Sequence, residues 1–537
     1  MDTKEHPVLR PLHLSDHQWK NRLVVAPMSR VSATPEGNAT SEMAAYYTAF
    51  ARGGFSMIIT EGNYTDIHAS KSYPNQPGLI SPAHIAAWRQ VVEPVKACGT
   101  LIMAQLMHAG ALSQFSSETI APSAIQPSGV KLAQYGGSGT YPFPKVMSQQ
   151  DIRLVKKGFA DASIAAHQAG FDGVELHAAN GYLLDQFLTP ELNTRVDEYG
   201  GSTANRFRII AEIIRGIRDA VPNNFLIGIR LSEGKVNDLI YRWKDGRAMA
   251  TAILQEVKKA DPDLIHIAVQ SGEWERDSFY PDGSSYAALA RKITGKPVIA
   301  NGGMHNLENA GKAIEESHAD LLSIGKAALA DPAWPQHIRN GSPSRLFHPD
   351  MLWPEATIRH TNQIIMRTFF LLFVCLCAIP GFSQTANSDR DDANHSIHTI
   401  KTTKMKIAPI QINPDPYKPF RLAQGYRAGD FLFISGQTAI DEHGQLAGIG
   451  DFDKQADRAF ENLEKVLKAG GSSFRNVIKV TILLKDMRNF NKIVALRGKY
   501  FKAPYPADTI LEVSSLYSPD ALIEIEAVAV ADEAAQW

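Results

Sequence analysis

Cysteine is scarce in this chain: only three occur in 537 residues, Cys98 and the pair Cys375 and Cys377. Three thiols are too few for a disulfide framework, and their spacing is not that of a zinc site. No metal site is expected, and a reducing compartment suits the first part of the chain. Charge of one sign is also missing. Against 55 Lys and Arg stand 56 Asp and Glu, for a net charge of -1. No basic face therefore advertises nucleic acid, and no acidic tail suggests a solvating segment. Small ligands, uncharged or anionic, are the partners left to consider. A third absence is an apolar run long enough to span a bilayer. The opening stretch MDTKEHPVLRPLHLSDHQWK has no apolar run after its charges, unlike a secretory leader, so a cytoplasmic location is expected.

What is present is length, and 537 residues with 44% hydrophobic content exceed one ordinary domain. A break is visible in the sequence. From Met366, "MRTFFLLFVCLCAIPGFSQTA" has a basic residue, an uncharged apolar stretch over 369–379, then small and polar residues. That is the form of a signal peptide, in the wrong place. Its apolar core is shorter than the ~20 residues a spanning helix needs, and Pro380-Gly381 breaks any helix it forms. A polar, linker-like stretch follows. The pattern points to two joined reading frames, the second keeping its old signal. Membrane contact through 366–384 is the less favoured reading. The expected division is 1–360, a linker over 361–404, and 405–537.

In the first part, short apolar runs alternate with longer helix-like stretches, the mark of repeated β-α units and a parallel sheet. Eight runs are legible, at 23–26, 56–60, 101–105, 173–176, 226–230, 264–268, 297–300 and 321–324. Between them, Val155, Phe159, Ala162 and Ala166 recur at helical spacing over 151–169, as do Ile209, Ile210, Ile213 and Ile217 over 206–220. Eight such units predict a (β/α)8 barrel, whose chemistry collects at the carboxyl ends of the strands. Those ends carry Pro27-Met28-Ser29, Glu61-Gly62, Gln105 and His108, then His177, Asn180 and Tyr182, then Arg230, Asn301-Gly302-Gly303 and Gly325-Lys326. Loops after the last two strands of a barrel often bind phosphate. Glycines there let backbone N–H groups approach an anion, and Lys326 adds charge. Gly302-Gly303 alone would be an ordinary turn; beside Lys326 a phosphate-bearing cofactor is the better reading. A lone histidine such as His108 is read as a structural hydrogen-bonder.

Several stretches carry a family resemblance: "NRLVVAPMSR" (21–30), "QLMHAG" (105–110), "GFDGVELHAANGYLLDQFLTPELNTRVDEYGGSTANRFR" (170–208), "ANGGM" (300–304) and "SIGKAALADP" (323–332). Residues 7–355 resemble the Old Yellow Enzyme family of FMN-dependent ene reductases. The resemblance implies FMN as cofactor, NADPH or NADH as reductant, and an α,β-unsaturated carbonyl or nitro compound as substrate. It implies that His177 and Asn180 polarise the substrate oxygen and that Tyr182 gives a proton to the α-carbon, roles that suit their chemistry. For the flavin it implies Ser29 near a ring carbonyl, Gln105 at the pyrimidine edge, Arg230 at the electron-rich end, and backbone contact from Pro27, Met28 and Gly62. Gly302, Gly303, Gly325 and Lys326 fall to the phosphate, with lysine where the family commonly has arginine. Competing readings are an FMN-binding NAD(P)H oxidase or redox module, and a sugar-phosphate site.

Over 405–537, strand-like 430–440, 477–486 and 521–530 with helix-like 453–470 and 490–501 predict a separate α+β domain. "FISGQ", "NLEKVL", "VIKVTILLKDM", "YFKAPYPADT" and "IEIEAVAV" resemble the RidA family, which implies a chorismate-mutase-like fold and a homo-oligomer with sites between subunits. Ser435, Gly436 and Glu524 match its pocket. The family's carboxylate-clamping arginine after Pro-Ala is here Asp508. Hydrolysis of 2-imino acids is therefore not expected, and a ligand-binding or oligomerising module is.

Overall fold

The computed structural model describes residues 6–14, 17–269, 274, 278–366, 406–513 and 515–532. Chain contacts divide it into Met1–Gln384 and Thr385–Trp537. The apolar stretch read as a displaced signal lies outside the described residues beyond Met366. Among the described residues no helix is long and apolar enough to cross a membrane.

The first unit is a closed barrel of eight parallel strands: β1 Leu23–Val25, β2 Met57–Ile59, β3 Leu101–Met107, β4 Gly173–Asn180, β5 Leu226–Lys235, β6 Leu264–Ile267, β7 Val298–Asn301 and β8 Leu321–Ile324. Each pairs with its neighbours in chain order, and β8 closes on β1. The eight apolar runs predict these strands, because a strand covered on both faces has no polar side to show. Helices α1 Ser41–Arg52, α2 Pro82–Ala97, α3 Gln149–Ala169, α4 Thr203–Ala220, α5 Gly246–Ala260, α6 Tyr286–Thr294, α7 Leu307–Glu315 and the short α8 Lys326–Ala330 fill the connections. Two helices begin earlier than their apolar spacing suggests, because their starts are set by caps. Ser148 and Asp151 form a reciprocal capping box at α3, and Ser202 accepts from the Asn205 N–H at α4. The opposite end of the barrel is plugged by Leu12–Leu14 paired with His17–Trp19, whose Trp19 is buried with Val24, Met57 and Leu264.

Strands β3, β4 and β5 run past the expected ends. His177 and Asn180 consequently sit within β4, where Asn180 pairs with Lys235 of β5, rather than in the loop after it. Lys326 opens α8 instead of ending a strand.

The second unit has a six-stranded sheet made of β9 Ile407–Pro409, β10 Gly425–Ala428, β11 Phe431–Gln437, β12 Val477–Leu484, β13 Ala507–Glu512 and β14 Ile523–Val530. Their order is β9-β10-β11-β14-β12-β13, antiparallel except for β12 beside β13. Helix α9 Phe452–Ala469 covers one face, burying Phe460, Leu463 and Val466 against Val480, Ile482 and Ile525. Helix α10 Phe490–Tyr500 adds Tyr500, stacked on Phe460 at 4.5 Å. Strands β9, β10 and β13 escape sequence reading, being short or mostly exposed.

Candidate active site

At the carboxyl ends of the strands lies a cavity of about 280 Å³. Its wall brings together Pro27, Met28 and Ser29 after β1, Gln105 of β3, His177 and Asn180 of β4, Tyr182, Arg230 of β5, and Gly325 and Lys326 after β8. Three sequence candidates do not line it. Gly62 stands just behind: a Cβ there would come within 2.5 Å of Met107 Sδ, and Met107 does line the cavity. Gly302 and Gly303 have φ of 103° and 66°, and a Cβ on Gly302 would meet Val269 at 2.7 Å. They shape the turn after Asn301, which lines the cavity itself.

Beneath the polar wall is a buried network. Gln105 Nε2 donates to Glu175 Oε1 at 2.8 Å, and Glu175 Oε2 lies 2.7 Å from His266 Nδ1. His266 Nε2 meets the Ser323 hydroxyl at 2.8 Å, and Asn301 Nδ2 donates to the same oxygen at 3.0 Å. Burial opposes the Glu175 charge, but His266, Arg230 and Gln105 outweigh it and hold the carboxyl below its ordinary range. Burial first, then the Arg230 charge, push His266 down to about 4. The ring is therefore neutral, giving Nδ1–H to Glu175 and accepting from Ser323. Arg230 Nη1 stands 3.2 and 3.1 Å from the two ring nitrogens, both already engaged, so it faces the ring rather than a lone pair. Its Nε is buried without a hydrogen-bond partner among the described residues.

His177 Nδ1 is likewise buried and unpartnered among the described residues, and burial followed by Arg230 pushes this ring down to about 3. The turn that follows is tied at several points. Asn180 has φ 63° and Gly181 φ 86°. Ser232 Oγ accepts from the Asn180 N–H at 2.8 Å, and the Val236 N–H donates to its carbonyl at 2.9 Å. The Gly181 N–H donates to Asp185 Oδ2 at 2.6 Å, and both oxygens of Asp185 bond Lys235 Nζ, at 2.7 and 2.8 Å. Neither side chain of that pair reaches solvent appreciably. Tyr182, at the end of the turn, has its ring 5.0 Å from His177 and its hydroxyl bonded to that of Tyr73. Burial raises the Tyr182 phenol well above its ordinary value.

The donor set suits a flavin mononucleotide. Arg230, the Gln105 amide and the Ser29 hydroxyl, which line one cavity, would hold the ring by charge and hydrogen bonds. Lys326 has no carboxylate partner among the described residues and lies 5.5 Å from the Phe347 ring. A Cβ on Gly325 would meet nothing nearer than 3.8 Å, which leaves room at the backbone for an anion. His108, by contrast, is buried away from this wall, its Nδ1 accepting from the Gly110 N–H at 3.1 Å and its Nε2 3.3 Å from Asp66.

Sequence reading misses Glu175, His266, Ser323 and Tyr73. For the first two a signal existed: "GVELHAAN" and "LIHI" put a charged or titratable residue inside strands buried throughout, and such a group must find a partner.

In the second unit, Ser435 and Gly436 lie on β11 and Glu524 on β14. A Cβ on Gly436 would collide with the Glu524 carboxyl, so the two are in contact. The Ser435 hydroxyl donates to the Ala423 carbonyl at 2.8 Å, and Tyr417 Oη to the Gly436 carbonyl at 2.7 Å. Burial and the Glu526 charge raise the Glu524 carboxyl. Asp508 is ion-paired with Arg497 of α10.

Residues 7–345 match the model of the NADH:flavin oxidoreductase / NADH oxidase family. Residues 413–531 match the model described as Endoribonuclease L-PSP. An NADH oxidase of Thermoanaerobacter brockii is 32% identical over 60% of this chain, which spans about half, 49%, of that relative. A protein named a probable flavin mononucleotide-dependent alkene reductase, of Leishmania infantum, is 32% identical over 60% of this chain and 88% of its own. The solved structure of the old yellow enzyme homologue from Zymomonas mobilis superposes with a TM-score of 0.58 at 26% identity, covering 65% of this chain and 96% of that one.

Proposed function

Since this chain belongs to the NADH:flavin oxidoreductase / NADH oxidase family through residues 7–345, we propose that it is an FMN-dependent NAD(P)H oxidoreductase reducing the activated C=C bond of α,β-unsaturated carbonyl or nitro compounds. The observation that carries this reading is the convergence of His177, Asn180 and Tyr182 with Ser29, Gln105, Arg230 and Lys326 on one cavity. When bound, FMN reduced by NADPH or NADH supplies the hydride for the β-carbon. The protein's part is to hold and polarise. His177 and Asn180 hydrogen-bond the substrate oxygen and draw charge from the alkene. Tyr182 gives its hydroxyl proton to the α-carbon. Arg230, held over the neutral His266, would supply a positive charge to the flavin ring, and Lys326 with the Gly325 backbone would hold the phosphate.

An oxidase without alkene chemistry is the second reading, favoured by the name of the Thermoanaerobacter relative. A pure electron-transfer site has no use for a proton donor such as Tyr182. Anaerobic titration separates the two: NADPH should bleach the flavin band and 2-cyclohexenone should restore it. Restoration by oxygen but not by the enone would leave the oxidase reading.

For the second unit we propose a ligand-binding or oligomerising module. Asp508 stands where the RidA resemblance calls for a carboxylate-binding arginine, and its charge is already engaged by Arg497. Rapid hydrolysis of 2-iminopropionate would overturn this. A homo-oligomer is expected to form through the sheet face that carries Ser435 and Glu524.

A further inference from the structure

Tyr73 has no role in the scheme above, yet its hydroxyl is hydrogen-bonded to that of Tyr182 and it lines the same cavity. The two rings belong to a small apolar cluster with Met107, Leu112 and Tyr141. Tyr73 is held from its backbone. Gln76 Oε1 accepts from the Ser72 N–H at 2.6 Å, and Gln76 Nε2 donates to the Gly62 carbonyl at 2.7 Å, fixing this loop to the end of β2. On its outer side the Tyr73 ring packs against Tyr135 at 4.9 Å, and Tyr135 is partly exposed.

The surroundings pose a chemical problem. A Tyr182 that gives up its proton becomes a phenolate at the edge of this apolar cluster, and an unpaired buried charge is costly. The titratable groups acting on Tyr182 are the phenols of Tyr73, Tyr135 and Tyr141, none of them cationic. The neighbouring His177 is held neutral by burial. Among the described residues, the Tyr73 hydroxyl is the group bonded to the Tyr182 oxygen.

We propose that Tyr73 acts through Tyr182 as a positioning and proton-relay residue, donating its hydroxyl to the Tyr182 oxygen as that oxygen loses its proton, then passing the proton across. The inference rests on reading Tyr182 as the proton donor to the α-carbon. The balance is simple. The Tyr182 O–H bond breaks as the α-carbon C–H bond forms; the Tyr73 O–H bond then breaks as the Tyr182 O–H bond re-forms. Tyr73 takes its replacement proton from water at the partly exposed Tyr135 side. No electrons move in the relay, since the hydride has already gone to the β-carbon.

The test compares two oxidants on the flavin-loaded full chain, pre-reduced anaerobically. 2-Cyclohexenone needs a proton delivered to carbon, whereas 1,4-benzoquinone is protonated on oxygen by water. Tyr73→Phe should slow reoxidation by the enone about 10- to 100-fold, the worth of a hydrogen bond to a charged oxygen, and enlarge its solvent deuterium isotope effect. Reoxidation by the quinone should stay within about twofold, well below that hydrogen-bond effect. A readout independent of turnover is the tyrosine 13Cζ resonance of residue 182, identified by its loss in Tyr182→Phe, which should shift in Tyr73→Phe. An unchanged enone rate, equal losses with both oxidants, or an unshifted resonance would each overturn the relay. If Tyr182→Phe loses enone reduction and Tyr73→Phe does not, the relay alone falls. If the wild-type protein fails to reduce the enone, the reading of the site falls and takes the relay with it.

Discussion

The strand that carries His177 is buried from Gly173 to Asn180, whereas the strand that carries Glu524 alternates, with Ile523 and Ile525 inward and Glu524 and Glu526 outward. In the barrel unit the buried carboxylates behind the cavity are answered by side chains of the same chain. Glu175 is answered by Gln105 and His266, and Asp185 by Lys235. In the second unit the face bearing Ser435 and Glu524 also shows Phe431 at 44% and Phe433 at 51% exposure. A ring that exposed on a sheet face is a surface waiting for cover. The barrel therefore encloses its cavity within one chain, whereas the sheet face of the second unit lies open.

The largest effects should come from breaking the enclosed site. Tyr182→Phe is expected to slow alkene reduction by about 10²–10⁴-fold, the usual contribution of a general acid, while NADPH still reduces the flavin at close to the original rate. Stopped-flow measurement of the two half-reactions distinguishes these. Glu524→Gln, the corresponding change on the open face, should alter neither. Equal loss in both half-reactions of Tyr182→Phe would mean a damaged pocket instead of a missing proton.

Next in size is the buried pair behind the donor turn. Lys235→Met leaves the Asp185 carboxylate uncompensated, a change that costs about 3–5 kcal/mol when a buried pair loses one partner. Burial already raises this carboxyl despite Lys235. The urea midpoint of the barrel transition, followed by flavin fluorescence, should fall accordingly. The double change Lys235→Met with Asp185→Leu should recover most of the loss. A single variant as stable as the original would show that the pair contributes little.

On the open face, Phe433→Asp should weaken self-association about 10- to 100-fold, the equivalent of un-burying one large apolar side chain, and leave the flavin spectrum intact. Sedimentation at a series of concentrations reads this directly. A wild-type chain that is monomeric throughout would remove the premise.

Legibility in the sequence follows the same contrast. The barrel strands were readable because burial on both faces compels uninterrupted apolar runs, and the strand ends were readable because polar residues and glycine collect there. Strands β9, β10 and β13, short or mostly exposed, carry no such compulsion. Among the candidate site residues, those just past an apolar run stand out, while His266 and Ser323, inside such runs, do not. His266 reaches Glu175 from β6 to β4, two strands that are not paired, and Ser323 meets Asn301 across the paired β8 and β7; these are side-chain contacts that no spacing within one segment encodes. Tyr73 was hidden differently: its loop is fixed by Gln76 reaching back to Gly62, a side-chain contact without a spacing rule.

The smallest expected effect is none, and it still discriminates. An exposed histidine titrates near 6.5, so a substrate bond to such a ring would change strength across neutrality. His177 is pushed down to about 3, first by burial and then by Arg230. Its ring is therefore neutral throughout the range from about pH 5 to 8 in which ordinary histidines switch, and the KM for an enone should be flat there. The folded-state value lies below the unfolded one, so the stabilisation given by the neutral ring is complete above about 6.5 and is lost as pH falls through the folded value near 3. Glu61 acts in the other direction: burial raises it to about 7, and its contribution is lost as pH rises from the unfolded value near 4.5 through 7. Because the two slopes oppose, the stability of one protein against pH cannot isolate His177; the difference between wild type and His177→Asn can. That difference should grow toward alkaline pH over the His177 window and leave the second unit's transition unmoved, since His177 belongs to the first unit. An enone KM that rises below pH 6.5 would mean that solvent reaches the His177 ring, and the enclosure that separates the barrel site from the open face would have to be given up.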